Sequence, residues 1–259
     1  MKSNAKSIAF IVSIALLFSG CQKEPLPLIL ISKDYKPQIK LWLEEVDDGF
    51  EFVNMYTVPA DSIDYFLERS SGMLISGGPD VNPAFYGMED AREKCDTIDY
   101  RRDTLEFRMI RYAMENDIPL LCICRGHQIL NVVNGGTLIP DIPTDGDTLV
   151  IHPGRTSRHW VSLVSGTLLH DICQVDGDTV NSSHHQAVDK VAPGFRFSSF
   201  ARDSLKESIE LIDTTGYGFI LGVQWHPENM DVSHPLSGPI ARYYLDEVSE
   251  YFIQKSKAK

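Results

Sequence analysis

The chain has few cysteines and few basic residues for its size. Five cysteines among 259 residues do not form the dense disulfide framework of a small secreted scaffold. Lysine and arginine total 24 against 36 aspartate and glutamate residues, and the net charge of −12 argues against nucleic acid as a partner. The chain has no internal repeat, low-complexity tract or linker, and 43% of its residues are hydrophobic. We therefore expect one globular domain with a substantial buried core.

The chain also lacks an apolar run long enough to span a bilayer, which takes about 20 helical residues. Two lysines come first, residues 8–18 form an apolar run, and small residues then lead to Cys21. This is the three-part order of a secretory signal. This end resembles the lipobox of bacterial lipoproteins, although Phe18 is unusual there. The sequence predicts a signal in residues 1–20, a lipid on Cys21 and a tether over 21–27. An exported protein anchored at the periplasmic face or cell surface is expected; an ordinary cleaved signal and an uncleaved anchor stay open.

Strand-like and helix-like patterns alternate in the first half of the chain. The predicted strands are 28–31, 52–58, 72–76 and 118–122, and the predicted helices are 39–46, 62–69 and 101–116. This alternation is typical of a mainly parallel sheet with helices on both faces. Shorter β-like segments follow at 160–164, 195–200, 208–212 and 219–223, before an amphipathic helix at 240–252. We predict an α/β domain over 28–259 with antiparallel strands at the sheet edge.

Cys124 stands where an apolar strand becomes a helix. The chain from Pro119 reads Pro-Leu-Leu-Cys-Ile-Cys-Arg-Gly-His-Gln, which puts the Cys124 sulfur at the positive end of the helix and favours thiolate. Gly126 leaves room for the tight turn of a nucleophile elbow, and the Arg125 N–H would face an oxyanion. Gly78 is the candidate second donor, because glycine lets the backbone approach a substrate closely. An inert, buried strand cysteine is the alternative.

His226 also follows an apolar strand and can meet Cys124 at one edge of the sheet. Glu228, held close by Pro227, can accept one imidazole N–H while the other ring nitrogen takes the thiol proton. The sequence therefore predicts a catalytic triad of Cys124, His226 and Glu228.

Several motifs, in order along the chain, resemble the class I glutamine amidotransferase superfamily and, within it, the γ-glutamyl-γ-aminobutyrate hydrolase family. They are the Gly-Gly-Pro-Asp-Val-Asn-Pro loop from Gly77, Arg-Asp-x-x-Glu at 102–106, Cys-Arg-Gly-His-Gln at 124–128, His-His-Gln at 184–186 and Gln-Trp-His-Pro-Glu at 224–228. The resemblance implies a flavodoxin-like fold without a cofactor. It also implies a thiol hydrolase of γ-glutamyl amides that uses this triad, an oxyanion hole from the Gly78 and Arg125 amides, and a thioester intermediate.

Six further residues are candidates for binding the small γ-glutamyl substrate. They are Gln128, Arg102, Glu106, His184, His185 and Gln186. The resemblance suggests that Gln128 holds the glutamyl end and that the residues of 184–186 line the pocket; a polar loop capping the sheet is the alternative for 184–186. Arg102 and Glu106 would fix the α-carboxylate and the α-amino group, because arginine offers carboxylates a planar fork and glutamate pairs with ammonium.

A metal site is a competing use of the histidines. It would gather His152, His159, His184, His185 and His226, but no His-Glu-x-x-His or paired Cys-x-x-Cys spacing supports it. We therefore expect no metal.

The remaining cysteines raise two questions about disulfides. Cys95 and Cys173 are either paired or unrelated thiols, and no obligatory disulfide is predicted. Cys122 stands where the family usually has a very small residue, which raises the hypothesis of a strained, inactivating bond to Cys124.

Two other functions stay open. One is a lipid-anchored binding protein that keeps the pocket without the chemistry. The other is a glutaminase-type amidotransferase, which would need an ATP-dependent domain or partner. The sequence leaves open the leaving group, the glutamate enantiomer and whether the chain forms a homodimer.

Overall fold

The computed structural model describes residues 25–145, 150–154, 156–213 and 218–258. The predicted signal and Cys21 lie outside these residues. Among the helices of the described ranges, none combines the length and the apolar character needed to cross a membrane.

Eleven strands of the described residues form one mixed sheet. They are β1 (Leu28–Ile31), β2 (Glu51–Asn54), β3 (Gly72–Ile75), β4 (Leu120–Ile123), β5 (Leu138–Ile139), β6 (Ser157–Leu163), β7 (Gly177–Ser182), β8 (Ala187–Val188), β9 (Phe195–Ala201), β10 (Lys206–Leu211) and β11 (Ile220–Val223). The order β2-β1-β3-β4-β11 is parallel throughout. Strands β10, β9, β6 and β7 continue it antiparallel, and β5 joins through β8. The predicted α/β class with added antiparallel strands is confirmed.

Helices cover both faces of this sheet. They are α1 (Gln38–Val46), α2 (Ile63–Arg69), α3 (Tyr100–Glu115), α4 (Arg125–Val133), α5 (Ile142–Asp145), α6 (Leu168–Cys173) and α7 (Gly238–Lys257). Apolar side chains of α1, α6 and α7 pack on one face, and those of α2, α3 and α4 pack on the other. Alternate residues of each central strand enter the two cores, because successive side chains of a strand point to opposite faces. Burial on both faces explains why these strands read as continuous apolar runs.

The predicted elements differ from the structure at two places, where a local hydrogen bond or a partner strand determines the conformation of the chain. The strand predicted at 52–58 ends at Asn54, because the Asn54 side chain accepts a hydrogen bond from the Tyr56 N–H (3.2 Å) and starts the short 3₁₀ helix Met55–Thr57. The polar segment Gly177–Ser182 was not predicted as a strand, and it is paired along its length with β6. Its strand conformation depends on that partner rather than on an apolar pattern.

The central parallel strands bring the predicted functional segments together. Ile75 of β3 pairs with Cys122 of β4, which in turn pairs with Gly222 of β11. The three segments that follow these strands begin at Ser76, Cys124 and Gln224. They therefore meet at the carboxyl edge of the sheet, where open α/β sheets bind ligands.

Candidate active site

Cys124 forms a sharp turn between β4 and α4. Its φ of 52° and ψ of −107° place a non-glycine residue in a sparsely populated region of backbone conformation, which costs on the order of 1–3 kcal/mol. The Cys124 N–H donates to the Val223 carbonyl oxygen at 2.7 Å and ties the turn to β11. A Cβ at Gly126 would overlap the carbonyl oxygen of Ile75, so only glycine lets α4 approach β3 this closely.

His226 contacts both Cys124 and Glu228. Its ring interacts electrostatically with the Cys124 side chain, and Nδ1 lies 2.7 Å from Glu228 Oε1. Burial acts to lower the pKa of His226, but the charges of Cys124 and Glu228 and their hydrogen bonds raise it well above its usual range. The three predicted triad residues are therefore in contact, and the imidazole is held ready to carry a proton.

Two residues without a predicted role hold this arrangement. The Asn181 amide donates to the His226 carbonyl oxygen at 2.7 Å and accepts from the His226 N–H at 2.8 Å, which fixes the backbone of His226. Gln224 Nε2 lies 3.5 Å from the Cys124 sulfur. Gln224 belongs to the quoted Gln-Trp-His-Pro-Glu motif, which was its only sequence signal, whereas Asn181 depends on the pairing of β7 with β6.

The proposed oxyanion donors lie at adjacent strand ends. Arg125 begins α4, where the first N–H groups have no acceptor within the helix, and Gly78 follows the neighbouring β3. A Cβ at Gly78 would overlap Arg102 Nη1. Arg102 Nη2 donates to the carbonyl oxygens of Ser76 (2.8 Å) and Gly77 (2.9 Å), so its guanidinium holds the glycine loop from below.

Arg102 and Glu106 do not meet the expectation that they bind substrate. Both side chains are fully buried, and Arg102 Nε donates to Glu106 Oε1 at 2.7 Å. The Arg125 guanidinium pairs with the other Glu106 oxygen and, at 2.5 Å, with Asp103. Burial raises the pKa of Asp103 to about 6, although the Arg125 charge acts to lower it. The two residues therefore belong to a buried ionic network beneath the site, which positions the glycine loop and the start of α4.

Of the other predicted substrate residues, Gln128 lies near the cysteine, whereas Gln186 and His184 are buried in contacts with the protein. Gln128 is buried, and its Nε2 donates to the Gln186 carbonyl oxygen (2.9 Å) and to Gln224 Oε1 (3.1 Å), which places it against the residue whose amide lies beside the Cys124 sulfur. Gln186 is buried, and its own amide donates to the Pro140 carbonyl oxygen (3.2 Å) rather than facing an open pocket. His184 is also buried, and its Nδ1 is bonded to the Gln186 carbonyl oxygen (2.9 Å).

His185 lies in an ionic cluster next to the glycine loop. Its Nε2 is 3.0 Å from the Asp80 carboxylate, and its Nδ1 is 3.0 Å from Asp141 Oδ1. The hydrogen bond to Asp80 is the main cause that raises the pKa of His185 to about 9, burial opposes it, and Asp141 adds to it. His185 is thus an imidazolium that joins the loop after β3 to the segment after β5.

A cavity of about 320 Å³ opens beside His226 and Glu228. Ser76, Gly77 and Gly78 line one side, and residues 33–36 line another, with Lys33 and Lys36 among them. This volume is at the lower end of the range for ligand sites and fits a dipeptide-sized molecule.

The four cysteines of the described residues, Cys95, Cys122, Cys124 and Cys173, are all unpaired. Cys122 packs in the core of the α3 and α4 face, whereas Cys124 packs with the core of the α1 and α7 face. The hypothesis of a Cys122–Cys124 bond is therefore not supported, because the two side chains lie on opposite faces of the sheet.

Three of the five histidines considered for a metal do come together. His152, His159 and His184 surround Glu207 on β10, and the four side chains are buried. His226 faces Cys124 instead, and His185 faces Asp80. Glu207 had no sequence signal, since its contacts with the histidines cross between separate strands and loops.

Gly77 gives a direct test of the contact between the cysteine and the histidine. A Cβ at Gly77 would lie 2.6 Å from His226 Cε1 and 3.5 Å from Cys124 Cβ. The His226 ring would have to move away from the sulfur, so we expect Gly77→Ala to lower kcat about 100-fold with an unchanged fold. Steady-state kinetics and circular dichroism check this, with Gly49→Ala in a remote loop as the control. Unchanged kcat would show that the observed His226 position is not needed.

Comparison with known proteins places this geometry in a family. Residues 44–228, which include Cys124, His226 and Glu228, match the family model described as peptidase C26. The chain belongs to the peptidase C26 family. It is 31% identical to protein NtpR of Enterococcus hirae over 82% of this chain and 89% of that protein. It is 28% identical to the γ-glutamyl-γ-aminobutyrate hydrolase PuuD of Escherichia coli K12 over 75% of this chain and 78% of that protein.

Comparison with solved structures shows the fold. A glutamine amidotransferase from Methylobacillus flagellatus matches with a TM-score of 0.55 at 17% identity, over 89% of this chain and 95% of that one. This likeness shows the class I glutamine amidotransferase fold. Membership in the peptidase C26 family and the similarity to a named hydrolase support a glutamine amidotransferase-like hydrolase function.

Proposed function

We propose that this protein is a cysteine hydrolase that cleaves γ-glutamyl amide bonds and releases glutamate and an amine. The observation that carries the proposal is the contact chain at the sheet edge. Cys124 stands on a sharp turn at positive φ, its side chain interacts electrostatically with His226, and His226 Nδ1 lies 2.7 Å from Glu228 Oε1. This is the arrangement of nucleophile, base and orienting acid that acyl transfer requires.

The reaction starts with attack of the Cys124 thiolate on the side-chain carbonyl of the glutamyl group. The negative oxygen is stabilised by the N–H groups of Gly78 and Arg125. The His226 imidazolium gives its proton to the leaving nitrogen, the C–N bond breaks, and a thioester to Cys124 remains. His226 then takes a proton from water, which attacks the thioester and frees glutamate and the thiol.

The surroundings of the site support a small, charged substrate. The cavity beside His226 holds about 320 Å³ and opens toward Lys33 and Lys36. Gln128 is hydrogen-bonded to Gln224, which lies beside the cysteine, and we assign the Gln128 side chain to the glutamyl end of the substrate. We therefore expect the leaving amine to be small. Lys33 is already paired with Asp99 at 2.9 Å, so Lys36 is the lining cation that can favour an amine with a carboxylate.

The test is glutamate release by the full-length protein under reducing conditions from matched substrates. The panel contains γ-glutamyl amines with and without a carboxylate, the corresponding α-glutamyl compounds, both glutamate enantiomers and free glutamine. Hydrolysis confined to γ-glutamyl compounds would support the proposal. Release from glutamine alone would favour a glutaminase-type amidotransferase, and release from none of them would overturn the proposal in favour of a binding protein.

Glu228→Gln should change the pH dependence as well as the rate. Because Glu228 helps to raise the pKa of His226, its loss lets the imidazolium lose its proton at lower pH. We expect kcat/KM at neutral pH to fall about 10²- to 10⁴-fold and the alkaline limb of the pH profile to move to lower pH. An unchanged alkaline limb, measured in the same buffers, would show that Glu228 does not raise the pKa of His226.

A further inference from the structure

A second convergent cluster lies behind the proposed active site. His152 precedes β6, His159 lies on β6, His184 follows β7 and Glu207 lies on β10. One ligand atom from each of the four side chains falls within 4.8 Å of the others. All four are buried, with exposures of 0%, 7%, 6% and 0%. The cluster therefore joins three separate stretches of chain at one buried point.

The inward-facing atoms of this cluster have no hydrogen-bond partner. They are His152 Nδ1, His159 Nε2, His184 Nε2 and both carboxylate oxygens of Glu207. Glu207 Oε1 lies 3.6, 3.7 and 3.8 Å from the three nitrogens, in that order, which is too long for a hydrogen bond. Ligand atoms at the corners of a tetrahedron around a zinc ion are about 3.3–3.4 Å apart, since each lies about 2.0–2.1 Å from the metal. The three oxygen-to-nitrogen distances need to shorten by about 0.2–0.5 Å to reach that value. The ligand atoms as a set lie within 4.8 Å of one another, so the imidazoles also have to move toward the ion.

The outward nitrogens of the three histidines are all engaged. His152 Nε2 lies 2.8 Å from Asp203 Oδ2, and His184 Nδ1 lies 2.9 Å from the Gln186 carbonyl oxygen. His159 Nδ1 is directed at the Trp160 carbonyl oxygen, at 3.4 Å. Each outer contact takes the N–H of a neutral imidazole and leaves the inner nitrogen as an acceptor. Metal-binding histidines are oriented by outer carboxylates and carbonyls in this way.

We propose that His152, His159, His184 and Glu207 bind one divalent transition-metal ion, with zinc as the best match. Three imidazoles and a carboxylate are zinc ligands, and four protein ligands complete a tetrahedron. The site is structural, because burial leaves no open position for water or substrate. The ion satisfies polar atoms that otherwise stay buried without partners, which is costly.

The proposed metal site is connected to the candidate active site by hydrogen bonds. The Gln224 N–H donates to the Glu207 carbonyl oxygen at 2.8 Å, and the Gln224 side chain approaches the Cys124 sulfur. A metal that fixes β10 therefore fixes the segment that leads into His226. The cluster of Asp80, Asp96 and His185 differs, because the His185 nitrogens are already hydrogen-bonded to Asp80 and Asp141.

Metal analysis of the full-length protein, purified without chelator and measured by inductively coupled plasma mass spectrometry, tests the proposal. Glu207→Gln removes one ligand, and Glu210→Gln is the matched control. Glu210 is a buried glutamate of the same strand that instead accepts hydrogen bonds from the Leu168 and Leu169 N–H groups. We expect one zinc ion per chain in the wild type and in Glu210→Gln, and a loss of most of it in Glu207→Gln.

The variant Asp203→Asn distinguishes a metal site from a buried cluster of charged side chains that binds no metal. It removes only the carboxylate that orients His152, so the stoichiometry should stay at one while zinc affinity falls about 10- to 100-fold, measured by competition with a chromophoric chelator. Cobalt(II) added to the metal-free wild type should give the intense visible bands of tetrahedral coordination. Equal zinc content in Glu207→Gln and Glu210→Gln would overturn the proposal. So would a wild-type protein that holds no metal and gives no such cobalt spectrum, whether or not the variants fold.

Discussion

Cys124→Ala is expected to abolish hydrolysis and leave the fold intact. The alanine keeps the backbone of the turn but removes the sulfur that would form the thioester, and no other described thiol shares its position beside His226. Removal of a nucleophile from a triad commonly costs about 10⁴- to 10⁶-fold in kcat. We expect a loss of this size in glutamate release, with a thermal midpoint close to that of the wild type.

Cys173→Ala is the matched control for this result. Cys173 is buried on α6, where burial alone raises the pKa of its thiol to about 12. An inert thiol of this kind should tolerate replacement with less than tenfold loss of rate, since it takes no part in the reaction. If Cys124→Ala kept substantial activity while Cys173→Ala lost it, the nucleophile would have been assigned to the wrong residue.

Arg125→Met is expected to destabilise the fold by about 3–5 kcal/mol. The Arg125 guanidinium is buried and pairs with Asp103 and Glu106, which are buried as well. Methionine fills a similar volume but leaves the two carboxylates with only Arg102 as a cationic neighbour. Urea unfolding at neutral pH measures the loss. The pKa of Asp103 is about 6 and Arg125 acts to lower it, so without Arg125 this pKa rises further. The deficit should therefore shrink as pH falls toward 6 and level off below it, where Asp103 is neutral in both proteins.

Arg108→Met makes the same chemical change at the surface. Arg108 pairs with Asp64, and both side chains are largely exposed, so the change should cost less than about 1 kcal/mol. Equal losses for the two variants would mean that the buried network does not hold the start of α4. If the loss of stability in Arg125→Met did not change with pH, the charge of Asp103 would not be its cause.

Much of the fold could be predicted because its central strands are buried on both sides. Leu28–Ile31, Gly72–Ile75 and Leu120–Ile123 are apolar throughout, and each is followed by a helix with an apolar side. The polar strand Gly177–Ser182 could not be predicted in the same way, since pairing with β6 determines its conformation. The 3₁₀ helix after Asn54 was missed because one side-chain hydrogen bond ends the strand there.

The location of a candidate site residue was predictable where it depends on the position of that residue after a strand. Cys124, His226 and Glu228 fall at such ends, and they are in contact. Arg102 and Glu106 were assigned to the substrate from their charge alone, but contacts from distant segments bury them instead. The three histidines around Glu207 were among those considered for a metal, but Glu207 itself was missed, because β10 supplies it separately from the stretches that carry the histidines.

The central claim is that Cys124 carries the glutamyl group during turnover. The most direct measurement mixes the full-length protein with a γ-glutamyl substrate, quenches the reaction in acid within its first turnovers, and maps the peptides by mass spectrometry. We expect the peptide that contains Cys124 to gain the mass of one glutamyl group, and the adduct to disappear as substrate is exhausted. Turnover without any adduct on Cys124, or an adduct on Cys95, Cys122 or Cys173 instead, would contradict the account.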